Sequence, residues 1–209
     1  MKGIFIVMEG PDGSGKTTQI ELLKKYLEEE GYESIITREP GGTVIGEAVR
    51  SIILNPEYEE MSDVTEMLLY AASRAQLMSE VIGPALESGK IVISDRFVDS
   101  SVVYQGIARG LGADTVYQVN APGIGQYHPD CIFFIDIPEE EGIRRKKVQK
   151  KLDRMEQESI AFHHLVSQGY RDILSNRPEV IYISGLEGPD CIQKIIRKEL
   201  LQKLKRCKN

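Results

Sequence analysis

The chain has 209 residues, 41% of them hydrophobic, with 26 Lys plus Arg against 32 Asp plus Glu and a formal net charge of -6. A chain this long buries roughly 70% of its unfolded surface and needs no disulfide or structural metal; Cys131, Cys191 and Cys207 are odd in number and have no CxxC spacing, and of the histidines His128, His163 and His164 only His128 lies near a cysteine, so no zinc site or disulfide framework is indicated. The acidic balance excludes a general nucleic-acid binder, and the apolar run 4–8, followed at once by Glu9 and Asp12, is too short for a signal core or a membrane span, so a cytoplasmic protein in a reducing compartment is expected.

Short runs rich in β-branched residues alternate with longer helical stretches, the pattern of a parallel sheet covered on both faces. Strands are predicted at 4–9, 34–37, 91–94, 131–137 and 180–184. Between the first two, Ile20, Leu23 and Leu27 form one helical stripe and Gly31 is placed to end it. A long helix is predicted from a Ser62 cap through Val64, Leu68, Ala71, Ala75 and Met78 towards Pro84, and another over much of 153–175. A last helix, capped by Asp190, would face Ile192, Ile195, Ile196 and Leu200 inward. No repeat or linker interrupts the pattern, so one three-layer α/β domain is expected over 1–209, with a five-stranded parallel sheet.

Gly10, Pro11, Asp12, Gly13, Ser14, Gly15, Lys16 and Thr17 fit G-x-x-x-x-G-K-[ST], between a buried strand and an amphipathic helix, with Thr18 next. The glycines let backbone N–H groups converge on phosphate oxygens, the helix N-terminus adds positive potential, Lys16 reaches the β and γ phosphates, and Thr17 can ligate Mg²⁺. The bland reading is a Gly-rich turn; the strand and helix context favours a P-loop fold binding a nucleoside triphosphate. No N-K-x-D element selects guanine, so ATP is favoured.

Asp95 and Arg96 follow the third predicted strand, at the strand ends where ligands bind in open parallel sheets. An Asp there suits a direct or water-mediated Mg²⁺ role, and Arg offers a planar fork to a second phosphate; alone, the pair could equally be a strand-end ion pair. Beside it stand residues 37–43 (TREPGGT), 70–76 (YAASRAQ), 95–106 (DRFVDSSVVYQG) and 152–158 (LDRMEQE). With the phosphate loop, these segments span most of the chain, and together the sequence resembles the bacterial-type thymidylate kinases.

That resemblance implies a P-loop kinase fold, a homodimer through the long helices, and transfer of the γ-phosphoryl group of MgATP to dTMP. It implies that Arg96 grips the acceptor phosphate with Arg38 beside it, that Asp95 lies near the metal, and that Asp12 contacts the sugar 3′-hydroxyl. Tyr70, where the family usually has Phe, would stack on thymine, and Arg74 would bond its O4; residues four apart share a helix face. Ser100 and Ser101 match small polar residues near the base. Tyr104 matches the residue that crowds the sugar 2′ position, with Gln105 in the same wall. The turn 184–189 matches part of the adenine pocket.

Residues 144–151 hold six basic side chains in eight. A solvated charge run is the plain reading, and a nucleic-acid surface is disfavoured by the absence of interleaved aromatics. The resemblance makes the stretch a mobile lid at about 142–154 that supplies a cation to the phosphoryl group, Arg145 first and Lys147 second, although the family carries arginine where this chain has Lys147 and Gln149. The alternatives are another P-loop nucleotide or deoxynucleoside kinase, and a non-catalytic ATP-binding switch.

Overall fold

The computed structural model describes residues 3–146 and 152–208. Five strands, β1 (Ile4–Glu9), β2 (Ser34–Arg38), β3 (Ile91–Asp95), β4 (Cys131–Asp136) and β5 (Val180–Ser184), form a parallel sheet in the order β2-β3-β1-β4-β5. All five predicted strands are present. β1 is central and buried along its whole length, and its alternating side chains feed two cores. Ile4, Ile6 and Met8 pack with α1 (Lys16–Glu29) and α9 (Pro189–Lys208); Phe5 and Val7 pack with α3 (Asp63–Leu77) and α4 (Gly83–Glu87) on the opposite face.

The chain runs from β1 out to β2, returns through β3, and crosses to β4 and β5 on the far side. The reversal leaves a crevice at the C-terminal ends of β1 and β3, where open parallel sheets bind ligands.

Several ends follow the expected caps. α1 closes with Gly31 at φ 78 and the Tyr32 N–H donating to the Leu27 carbonyl, a glycine-terminated helix end. Ser62 caps α3, its Oγ accepting the Thr65 N–H at 3.2 Å. α3 does not run straight to Pro84: Met78–Ile82 widen into a π turn, which suits a following proline that has no N–H to donate.

Two expectations are corrected. The helix predicted over 153–175 is interrupted, because the Asp153 and Glu156 side chains each accept the other's backbone N–H, at 2.9 and 3.0 Å, in a single capped turn. Ser159 then starts α8 (Ile160–Leu174) afresh, and the break turns Arg154 inward onto the Ile53 carbonyl and Glu66. The last helix begins at Pro189 rather than being capped by Asp190, since proline's fixed φ suits a first helical position. On it Ile192, Ile196 and Leu200 are buried, but Ile195 is 39% exposed. α2 (Val44–Ile53), α5 (Val98–Ser101) with its π continuation Val102–Ala108, α6 (Ala113–Ile124) and α7 (Glu139–Lys146) were not marked by the periodicity.

Candidate active site

The phosphate loop leaves the end of β1 and enters α1 through Gly15 at φ 99. Gly10, at φ 147, lies so close to β4 that a Cβ would sit 2.5 Å from the Ile135 carbonyl oxygen. Lys16 is only 7% exposed, and its Nζ donates to the carbonyls of Gly10 at 2.9 Å and Pro11 at 3.1 Å. Burial, with Arg96 beside it, pushes this ammonium down to about 8, against the pull of Asp95, Asp12 and Glu9. Ser14 is buried in the loop, its hydroxyl without a partner.

Over the loop opens a cleft of about 430 Å³. Asp12, Gly13, Gly15, Lys16, Thr17 and Thr18 wall one side; Arg38, Tyr70, Arg74, Asp95, Arg96, Ser100, Ser101, Tyr104 and Gln105 wall the other. With Asp153 and Glu156, which also border it, residues drawn from five separate stretches of sequence meet in one cavity. Gly10, Pro11 and Ser14 shape the loop from behind.

Arg96 has φ 71, a left-handed backbone that is uncommon outside glycine. Its Nη1 donates to the Gly10 carbonyl at 3.1 Å, and its Nη2 pairs with Asp12. Lys16 and Arg96 therefore converge on one carbonyl oxygen. Although burial opposes its charge, Tyr104, Tyr170, Asp12 and Asp95 hold the Arg96 guanidinium firmly protonated.

Arg74 is 2% exposed and largely engaged within the protein. Its Nε donates to Glu39 at 2.8 Å, its Nη1 to Asn120, and its Nη2 to Ser101 at 3.0 Å and the Phe97 carbonyl at 3.3 Å. Burial raises the Glu39 carboxyl and Arg74 draws it back down. Arg38 is half exposed and paired with Glu47 at 2.8 Å. Gln105 borders the cleft but is fully buried; its Nε2 donates to Glu66 at 2.9 Å, while its Oε1 is buried without a partner.

Arg145, on α7, lies at the rim: Nη1 donates to the Gly13 carbonyl at 3.1 Å, Nη2 to the Gly185 carbonyl at 3.0 Å, and Nε to Glu141 at 2.6 Å. It thus bridges the phosphate loop and the turn after β5. Lys147 and Gln149 lie outside the described residues.

A divalent cation fits the donor set. Asp95 Oδ1 is buried and has no hydrogen-bond partner, and Asp95 and Thr17 border the same cleft. Among the described residues no group of three or more His, Cys, Asp or Glu could hold a metal. Mg²⁺ needs only one or two protein oxygens when phosphates and water complete its shell.

Sequence reading missed Glu9, Glu39, Glu66, Asn120 and Tyr170, which hold these groups from behind. Glu9 carried a usable signal, an acid closing a strand whose other residues are apolar. Burial, then Asp99, lift its carboxyl to about 7, against Arg96 and hydrogen bonds from Ser100 and Phe97.

A phosphate loop and an arginine-bearing second loop across the switch point of a five-stranded parallel sheet define a P-loop kinase of the nucleoside monophosphate class. The family model "Thymidylate kinase" matches residues 8–196. The chain is 48% identical over 209 residues to a thymidylate kinase of Caldanaerobacter subterraneus subsp. tengcongensis, covering 100% of both, and 47% identical over 191 residues to one of a Geobacillus species, covering 90% of this chain and 91% of that one. The crystal structure of thymidylate kinase from Ehrlichia chaffeensis superposes with a TM-score of 0.77 at 32% identity, over 96% of this chain and 99% of that one. The chain belongs to the thymidylate kinase family.

Proposed function

We propose that the protein transfers the γ-phosphoryl group of MgATP to dTMP, giving dTDP and ADP. The observation that carries this reading is the meeting of Lys16 and Arg96 on the Gly10 carbonyl, at 2.9 and 3.1 Å. One cation belongs to the triphosphate loop and the other to the acceptor wall, so the two phosphates would be drawn to adjacent points.

No general base is required. A phosphate monoester has a second pKa of about 6, so the nucleophile arrives as a dianion. The chain's work is alignment and charge neutralisation. Loop N–H groups and Lys16 take the β and γ phosphates, Arg96 takes the acceptor phosphate with Arg38 beside it, and Asp12 orients Arg96 and the sugar. Tyr70, Arg74, Ser100 and Ser101 face the base, and Tyr104 bounds the sugar. The orphaned Gln105 Oε1 is an acceptor suited to the one N–H of thymine. Thr17 and Asp95 would hold Mg²⁺, which would neutralise phosphate charge there. Arg145, on α7, would help keep water from the γ phosphoryl group; Lys147 and part of the lid expected over 142–154 lie outside the described residues.

Ile45 and Ile52 on α2, with Val64 and Leu68 on α3, are 56%, 42%, 49% and 51% exposed; this apolar surface supports a homodimer through these helices. Among the described residues no helix is long and apolar enough to cross a membrane.

The test is ADP release from MgATP with dTMP, dUMP, dGMP, AMP, thymidine or no acceptor. Turnover with dTMP well above the others is expected. Preference for another acceptor would overturn the base and sugar roles, and nucleotide binding without acceptor-dependent release would overturn catalysis itself.

A further inference from the structure

Behind Arg96 lies a buried polar assembly of Glu9, Ser100 and Tyr170, of which Ser100 also walls the cleft. Glu9 is fully buried at the end of β1. Its Oε1 accepts the Phe97 N–H at 2.9 Å; its Oε2 accepts the Ser100 hydroxyl at 2.7 Å and the Tyr170 hydroxyl at 3.1 Å. Tyr170 and Ser100 are 2.7 Å apart, and both accept from Arg96 Nη1, at 2.8 and 3.3 Å.

One direction in this network is fixed by chemistry. A guanidinium only donates, so Arg96 gives hydrogens to Tyr170 and Ser100. The two hydroxyl hydrogens are then shared among three contacts, Ser100 with Glu9, Tyr170 with Glu9 and the two hydroxyls with each other. Tyr170 is fully buried on α8, its ring stacked on Phe134 at 5.5 Å between centroids, and it is not among the cleft walls. The ring alone would fill the core; the hydroxyl adds nothing to that packing but meets the back of the guanidinium whose other side lines the cleft.

We infer that Tyr170, itself oriented by Glu9, is a positioning residue that holds Arg96 in the pose that receives the acceptor phosphate. The inference rests on the reading that Arg96 grips that phosphate. The backbone at Arg96 gives the hydroxyl a reason to be there: at φ 71 the side chain leaves the strand end from an uncommon conformation, and contacts must over-determine its direction.

The test compares dTMP and thymidine, which differ only in the phosphate, by calorimetric titration of wild type, Tyr170→Phe, Arg96→Met and the double variant, with steady-state kinetics alongside. Tyr170→Phe is expected to weaken dTMP by roughly 3- to 10-fold, the effect of one lost hydrogen bond, while thymidine affinity and KM for ATP stay unchanged. In the Arg96→Met background it should cost nothing further. Equal weakening of dTMP and thymidine, or no change in either, overturns the inference. If Arg96→Met keeps the full preference for dTMP over thymidine, the phosphate-gripping role of Arg96 fails instead, and the inference with it. Should Tyr170→Phe not fold, Glu9→Gln is titrated in the same way, and an unchanged dTMP-to-thymidine ratio in it overturns the inference.

Discussion

The guanidinium carbon of Arg96 lies 5.4 Å from the centre of the Tyr104 ring. A side chain assigned to the sugar wall is therefore also a face on which the phosphate-gripping cation rests, and the two roles separate by substitution. Tyr104→Phe keeps the ring under the cation, whereas Tyr104→Ala removes it. Tyr104→Ala is expected to raise KM for dTMP about 5- to 30-fold, as befits a partly desolvated cation–π contact, and to admit ribonucleotide acceptors such as UMP. Tyr104→Phe should stay within a few-fold of wild type. Steady-state kinetics with dTMP and UMP check both.

Arg74 answers for stability as well as for the base. Arg74 and Glu39 have side chains 2% and 3% exposed and pair at 2.5 Å, so Arg74→Ala leaves a buried carboxylate alone. A loss of about 3–5 kcal/mol in urea unfolding is expected, and Glu39→Gln added to Arg74→Ala should recover part of it. Base preference among dTMP, dUMP and dCMP in the less disruptive Arg74→Lys variant then isolates the contact to the ligand.

Arg145 is pinned between Gly13 and Gly185, the loop that cradles phosphates and the turn matched to the adenine pocket. Arg145→Ala is expected to raise KM for ATP and lower kcat, by about 10-fold in kcat/KM, with KM for dTMP unchanged; Arg145→Lys should not restore it, because one ammonium cannot span both carbonyls as a planar fork does. Gly13→Ala should act in the same sense. Gly13 has φ 79, and its Cβ would meet the Gly142 carbonyl oxygen at 2.9 Å, forcing α7 off the loop.

The Glu9 carboxyl, raised in the fold from 4.5 to about 7, predicts a pH slope in stability. Between those values the folded chain binds more protons than the unfolded one, so this group's contribution is fully present below about 4.5 and is lost as pH rises through about 7. Thermal unfolding of wild type and Glu9→Gln across pH 5 to 8 checks the sign. The variant should show the shallower decline with rising pH, and a steeper one would contradict the assignment.

What could be read from the sequence was what is local along the chain. The strand, phosphate loop and helix from Ile4 to Glu29 are contiguous, and the pattern changes from a continuous apolar run to a helical stripe within a few residues. The break between residues 153 and 160 was hidden because Asp153 and Ser159 both look like caps, and only the burial of Arg154 against Glu66 selects the second. Arg74 reads as a ligand-facing arginine on an exposed helix; that it is buried depends on Glu39, Asn120 and Ser101, which come from three other elements. Tyr170 stands 74 residues from Arg96, and nothing in its neighbours marks it as more than a core aromatic.

The position of β1 in the sheet also sets the order in which the chain can mature. Ile4 pairs with Ile91 on one side and Ile6 with Cys131 on the other, so β1 finds its ladder partners only in strands more than 80 residues further along the chain. Pairings this distant in sequence slow folding. The segment that binds the phosphates is made before its ladder partners and enclosed only once they have arrived.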